Sequence, residues 1–342
     1  MPAPLRIAWI VYGSLDQVSG GYIYDRLVVD ELRALGDTVT VVSLEPGATP
    51  SPLDGANYDV VVGDELCFRE LGGLFRGLPN GVRRVLLIHH LTAWEHVDGA
   101  ERAAVLELER AAMAAADACV ATSRVTADRL EHERLARGVD VAEPGADRLQ
   151  RSEAAGQETG GARLRLLFVG NVLPRKRVLE LTRAFAELDS EQAELVLVGA
   201  ELEPEYSRAI RSVVRETGVT ARVRWLGSLD ATGVAEQLAL SDVLVLPSVL
   251  EGYGMVLSEA LWCSVPIIAA RTGAAEELVY RTSAGLLFEP DDSDGLGTAL
   301  RTFVYDRALR TKLRHAAWNA AEQLPRWRDT ALALRVTLAR SR

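Results

Sequence analysis

Lysine is nearly absent from this chain. Its 38 basic residues are two lysines, Lys176 and Lys312, and 36 arginines. A lysine inside a motif is therefore a hint that an ammonium is wanted there. Cysteine is scarce too: Cys67, Cys119 and Cys263 are scattered and odd in number. No disulfide framework or metal-binding spacing is readable from them, and a reducing cytosol fits. No apolar run approaches the ~18 residues of a membrane span. The opening Met-Pro-Ala-Pro-Leu-Arg runs straight into a strand at Ile7–Val11 and lacks the layout of a signal peptide. Neither a Gly-x-Gly-x-x-Gly fingerprint nor a P-loop occurs, which disfavours a dehydrogenase or an NTPase.

Basic charge is short in one half only. Residues 1–150 hold 14 Arg, no Lys and 23 Asp and Glu, a net of −9, whereas the remainder holds 24 basic and 25 acidic residues, a net of −1. An acidic first half speaks against an anionic membrane surface and against nucleic acid. The expected partner is a soluble molecule, a cationic one included, and the expected compartment is the cytoplasm. Apolar residues make up 48% and charged residues 25%, an ordinary balance for a soluble globular chain. At 342 residues the chain is large for one core, so two domains are expected.

The pattern is β-then-α throughout. Strands are expected at Leu5–Tyr12, Thr38–Leu44, Tyr58–Gly63, Val82–Ile88, Ala118–Thr122 and Val139–Ala142. Helices are expected up to Leu35, over Glu101–Ala116 and over Thr126–Ala136. The first helix should bury Ile23, Leu27, Val28, Leu32 and Leu35 and end at Gly36. After Pro144-Gly-Ala-Asp147 comes a small, polar linker at 151–162. Strands recur at 164–169, 195–199, 222–226, 242–247, 265–270 and 285–288, with helices between. Short buried strands alternating with helices specify doubly wound parallel sheets. The expected fold class is α/β, with one Rossmann-like domain at 1–150 and a second at 163–324. Ligands in such sheets bind at the carboxyl ends of the strands.

The most informative stretch is Glu251-Gly-Tyr-Gly-Met-Val-Leu-Ser-Glu259. An apolar run, Asp242–Pro247, precedes it, and a helical pattern, Ala260-Leu-Trp262, follows. Gly252 and Gly254 let the backbone approach a ligand and keep Glu251 off the helix. The helix start offers free N–H groups and a partial positive charge, which suits phosphate. Carboxylates eight residues apart would be ~12 Å apart on a continuous helix, too far for a glycosidase pair. The spacing fits one long ligand held at two places. The bland alternative is a pair of helix carboxylates favoured by the dipole.

This segment resembles the Glu-x7-Glu signature of retaining GT-B glycosyltransferases of the glycogen-synthase and sucrose-synthase type, often called family 4. Phe168–Lys176, Glu194–Gly199, Val223–Gly227 and Ala284–Phe288 fall in that family's order. Gly20-Gly21 and Val85–His89 resemble its weaker landmarks. The resemblance covers nearly the whole chain and is specific over 164–290. It implies two facing domains, the first of which also takes a last helix, about 325–342, that carries Trp327.

The resemblance also implies roles. Glu251 and the amides of Gly252, Tyr253, Gly254, Met255 and Val256 would hold the donor sugar and diphosphate, and Glu259 the ribose diol. Lys176, in Gly170-Asn-Val-Leu-Pro-Arg-Lys176, would hold phosphate. The family usually has an arginine where Asn171 stands, so Arg175 is the candidate to replace that cation; the alternative for the whole segment is a solvated basic cluster. Gly199, Gly227 and Leu229 would lie by the nucleobase. His89 would reach the donor sugar or its departing oxygen, with His90 the neighbour in register; a hydrogen-bonded structural histidine is the alternative. Gly20 and Gly21 would form the acceptor-side loop, or simply a loop–helix junction. Asp292-Ser-Asp294 looks like a metal-binding Asp-x-Asp but reads better as a helix cap.

The function implied is transfer of a hexosyl or N-acetylhexosaminyl group from a UDP- or GDP-sugar to an acceptor hydroxyl on a small molecule or glycan, with retention. No metal or cofactor is expected, and a homodimer is left open. The competing reading is a nucleotide-sugar-binding subunit, or a non-glycosidic coupling enzyme of the same fold, kept alive by Asn171.

Overall fold

The computed structural model describes residues 3–47, 53, 57–95, 99–151, 163–189, 192–292 and 294–340. Residues 152–162 of the expected linker lie outside that set. The chain divides into two compact units, Met1–Gly145 with Pro325–Arg342, and Ala146–Leu324.

Unit 1 is a six-stranded parallel sheet of β1 (Arg6–Tyr12), β2 (Thr38–Leu44), β3 (Val60–Asp64), β4 (Arg83–Ile88), β5 (Ala118–Ala121) and β6 (Asp140–Val141), in the spatial order β2-β1-β3-β4-β5-β6. Its central strands are buried on both faces; Ile7 to Ile10 and Val61 to Val62 are fully enclosed. Parallel strands with both faces covered read as continuous apolar runs for this reason. Helices α1 (Gly20–Ala34), α2 (Phe68–Gly77), α3 (Gly99–Ala115) and α4 (Arg124–His132) connect them.

Two sequence expectations need correction here. Helix α2 was not anticipated, because Phe68-Arg-Glu-Leu-Gly-Gly mixes good helix formers with two glycines. The buried face of α1 is Tyr22, Tyr24, Asp25, Val28, Val29 and Leu32, rather than the face carrying Ile23 and Leu27, which are half-buried. An acid thus lies on the core side of α1.

Unit 2 comprises β7 (Leu164–Val169), α5 (Val178–Ala186), β8 (Ala193–Val198), α6 (Pro204–Glu216), β9 (Val223–Gly227), α7 (Ala231–Ala239), β10 (Val243–Leu246), α8 (Met255–Trp262), β11 (Ile267–Ala270), α9 (Ala275–Thr282), β12 (Gly285–Phe288), α10 (Gly295–Tyr305) and α11 (Arg307–Ala320). Its sheet is parallel in the order β12-β11-β10-β7-β8-β9. The chain reverses direction of winding between β7 and β10. A crevice at the carboxyl ends of such neighbouring strands is where doubly wound sheets bind ligands.

The chain then returns to unit 1 as α12 (Trp327–Ala339). Trp327 packs edge-on against Tyr24 at 5.5 Å between ring centres. Thr330 Oγ1 donates to the Glu143 carbonyl at 2.6 Å, and Arg335 grips both oxygens of buried Asp37 at 2.7 and 2.9 Å. Gly145 is required at this crossing, because a Cβ there would sit 2.1 Å from the Trp327 nitrogen.

Candidate functional site

In unit 2 four loops meet the carboxyl edge of the sheet. They follow β7 (Gly170–Lys176), β8 (Gly199), β9 (Gly227–Leu229) and β10 (Pro247–Gly254). Small residues let their backbones nearly touch. A Cβ on Gly199, whose φ is +147°, would lie 1.9 Å from the Gly170 carbonyl oxygen. Gly199 N donates to the Gly227 carbonyl at 2.8 Å, and Gly170 N to Val198 at 2.9 Å. Leu229 is half-buried one residue before Asp230, which caps α7 through the Gly233 amide at 2.8 Å.

Glu251 stands on the loop from β10 to α8. Gly254, at φ +87°, turns the chain into α8 just before Met255 and Val256, which occupy its half-buried first turn. Gly273 packs so closely that a Cβ there would be 2.8 Å from Glu251 Cβ. Tyr253 is buried beneath the loop. The Lys176 ammonium reaches across from the β7 loop and donates to Glu251 Oε1. Its stem passes Gly170, and Arg175 donates to the Leu250 carbonyl at 3.3 Å. Burial alone would raise the Glu251 carboxyl. The charges of Lys176 and Arg175, with hydrogen bonds from Lys176 and Ser248, outweigh that and hold it below the ordinary range. Glu251 is therefore an anion paired with an ammonium, and Arg175 contributes positive potential to the same spot. Asn171 is half-buried at the head of this loop.

Glu259 is on the second turn of α8, as its spacing predicts, and is only 2% exposed. Its two oxygens accept from Arg148 Nε at 2.6 Å and Nη2 at 2.9 Å. Sequence reasoning missed Arg148, because its signal is only an arginine just after the Pro144-Gly-Ala-Asp147 turn. A diol at Glu259 would have to share or displace that guanidinium.

In unit 1 the corresponding edge gathers acids. Asp64 ends β3 and Glu65 follows it, His89 follows β4, and Asp25 comes from α1. Asp25 and Asp64 are fully enclosed, and Glu65 is 1% exposed. Asp25 Oδ2 accepts from Trp9 Nε1 at 3.1 Å, and its Oδ1 lies 3.3 Å from His89 Nε2. An oxygen of Asp25, an oxygen of Asp64 and a ring nitrogen of His89 lie within 4.8 Å of one another. Glu65 Oε2 accepts the His89 amide at 2.9 Å. Burial pushes both aspartates up to about 7. Burial likewise holds the His89 imidazole below its usual range, against the opposing charge of Asp64. Gly21, Tyr24 and Asp25 present one face of α1 to the imidazole: a Cβ on Gly21 would be 3.3 Å from its Cδ2, and the Tyr24 ring meets it edge-on at 5.1 Å. Gly20 opens the same helix and is exposed. Asp25, Asp64 and Glu65 were not anticipated; an acid at i+4 from Gly21 on an apolar helix face was the available signal.

His90 Nε2 pairs with Glu95 Oε1 at 2.7 Å. Asp294 stands at the N-cap of α10, where it binds Thr298 Oγ1 at 3.0 Å and Arg301 Nη2 at 2.9 Å. Among the described residues, Asp25, Asp64 and His89 are the group whose ligand atoms lie close enough for a metal, within 4.8 Å of one another. No described helix is long and apolar enough to cross a membrane.

Residues 152–321 match the family model of the glycosyl transferases group 1. An N-acetyl-alpha-D-glucosaminyl L-malate synthase of Bacillus anthracis is 35% identical over 44% of this chain and 39% of its own length. A D-inositol 3-phosphate glycosyltransferase of Rhodococcus opacus is 30% identical over 73% of this chain and 60% of its own. The chain thus spans roughly half the length of these curated relatives. Among solved structures, the sucrose-phosphate synthase of Thermosynechococcus elongatus superposes with a TM-score of 0.81 at 21% identity, covering 97% of this chain and 98% of that one. Anabaena HepE in complex with UDP and glucose gives 0.79 at 18%, covering 98% and 100%. By that match residues 152–321 belong to the glycosyl transferases group 1, and the two parallel sheets of the chain share the GT-B fold of these solved structures.

Proposed function

We propose that this chain transfers a sugar from a nucleotide-diphosphate sugar to an acceptor hydroxyl with retention of configuration and without a metal. The observation that carries the reading is the pairing of the Lys176 ammonium with Glu251 on glycine loops at the switch point of unit 2. A buried anion and cation that can each find a new partner suit a ligand with phosphates next to a sugar. Lys176 and the amides of 252–256 would take the diphosphate, which bears the developing negative charge. Glu251 would accept from sugar hydroxyls. The departing phosphate oxygen would receive the acceptor's proton on the face it leaves, while the acceptor oxygen bonds to the anomeric carbon. The Anabaena structure holds UDP and glucose, which supports UDP as the first donor to try, with GDP next. The acceptor is a small molecule or glycan.

A second reading, binding without transfer, is favoured by one observation: Arg148 occupies both oxygens of Glu259. One experiment separates the two. The protein is incubated with UDP- and GDP-sugars, with EDTA present, and nucleotide diphosphate is measured. Release that Lys176→Ala abolishes supports transfer. Tight binding with no release on any acceptor supports the second reading.

A further inference from the structure

Three carboxyl groups are buried side by side in unit 1 with one imidazole. Asp25, Asp64 and Glu65 come from two elements, and the groups that face them are Trp9, Tyr24, Cys67 and His89. Three anions packed this way would repel strongly in a low dielectric, so protons must be distributed among them. Hydrogen-bond donors decide where. Asp25 has a neighbour at each oxygen: Trp9 Nε1–H, which can only donate, at Oδ2, and His89 Nε2 at 3.3 Å from Oδ1. Asp64 Oδ1 accepts from the Leu66 amide at 2.9 Å, but no donor reaches its Oδ2. A buried carboxylate oxygen with no donor is costly, so of the two aspartates Asp64 is the one better held neutral.

We infer that Asp25 is the positioning residue of His89: it stays ionised, Asp64 carries the proton, and Asp25 holds the imidazole as the Nε2–H tautomer with Nδ1 left as an acceptor. This rests on reading His89 as a group that meets the donor sugar. The two aspartates are therefore not equivalent. Asparagine at 64 can copy a protonated carboxyl, with its oxygen on the Leu66 amide and its NH2 toward Asp25. Asparagine at 25 cannot copy a carboxylate. Its single oxygen must serve Trp9, so its NH2 faces His89 Nε2 and forces the other tautomer.

The test is long-range 1H–15N NMR of the 15N-labelled protein, with His89 assigned by comparison with His89→Gln. The expected result is an Nε2–H imidazole in the wild type and in Asp64→Asn, and an Nδ1–H imidazole in Asp25→Asn. Alongside it, kcat for donor turnover falls roughly 100-fold in Asp25→Asn at an unchanged donor KM, the size of loss that misplacing a reacting group produces. The same tautomer in all three proteins would overturn the inference. So would a flip at Asp25→Asn that leaves kcat intact. A shift of the His89 nitrogens on adding Zn²⁺, abolished by Asp64→Asn, would overturn it in favour of a cation on these side chains. A wild type that turns over no donor while the tautomers behave as stated would sink the transferase reading and leave the Asp25–His89 geometry standing.

Discussion

Arg148 meets Glu259 end-on, two guanidinium nitrogens against two carboxylate oxygens at 2.6 and 2.9 Å. Both side chains are largely enclosed, 13% and 3% exposed. Removing one partner from such a pair leaves an uncompensated buried charge, which costs about 3–5 kcal/mol. Arg148→Ala is therefore expected to lower the unfolding free energy of unit 2 by that margin. Arg148→Met with Glu259→Leu together should recover most of it. Urea titrations of the three proteins check this. A double variant no better than Arg148→Ala would contradict it.

The Lys176–Glu251 pair makes a prediction with two signs. Glu251→Gln frees the ammonium, so a bare nucleoside diphosphate should bind more tightly than to the wild type. Sugar transfer should fall, because the sugar loses its charged acceptor. Lys176→Ala should weaken the nucleotide by roughly ten- to a hundred-fold, the value of a charge-assisted hydrogen bond of ~1.5–3 kcal/mol. Calorimetry with UDP and GDP reads all three. Equal affinities throughout would remove the phosphate from this loop.

Gly199 fixes how near the β7 and β8 loops can come. A methyl group there would overlap the Gly170 carbonyl, at a φ of +147° that other residues avoid. Gly199→Ala should destabilise unit 2 by roughly 1–3 kcal/mol, as overpacking does. It should also weaken nucleotide more than Gly218→Ala, whose Cβ meets open space at a φ of +72°. Thermal shifts with and without UDP measure both effects.

Glu109 supplies a pH dependence. It is buried, its Oε1 accepts from the Ala93 amide at 3.3 Å, and burial pushes its carboxyl up to about 7. The folded protein thus holds this proton more tightly than the unfolded chain, whose ordinary value is 4.5. Its contribution is complete below that ordinary value and is lost as pH rises through about 7. The slope is at most ~1.4 kcal/mol per pH unit for one group. Asp64 acts with the same sign. Glu109→Gln should therefore gain on the wild type as pH rises from 4.5 to about 7, the window these values set. A stability difference that is flat with pH would contradict the assignment.

The alternation of buried strands and helices was legible because parallel strands covered on both faces leave continuous apolar runs, as in Val243–Leu246 and Ile267–Ala270. The loop from Glu251 to Gly254 was legible for a different reason: its glycines and acid break an otherwise apolar stretch. The pairing of Lys176 with Glu251 was not, since it joins residues 75 apart. Nor were Arg148 and the Asp25–Asp64–Glu65 group, which only the folding of separate elements brings together. Helix edges slipped as well: α4 begins at Arg124, where Ser123 accepts from the Thr126 amide at 3.0 Å and so caps the helix, two residues before the expected start at Thr126.

The central claim is that Lys176 exchanges Glu251 for a phosphate when donor binds. The direct measurement is a crystal structure with UDP soaked or co-crystallised. The account predicts a diphosphate oxygen within about 3 Å of the Lys176 ammonium, with the ribose on the α8 side of the loop. An intact Lys176–Glu251 pair, with the nucleotide bound away from both residues, would contradict it.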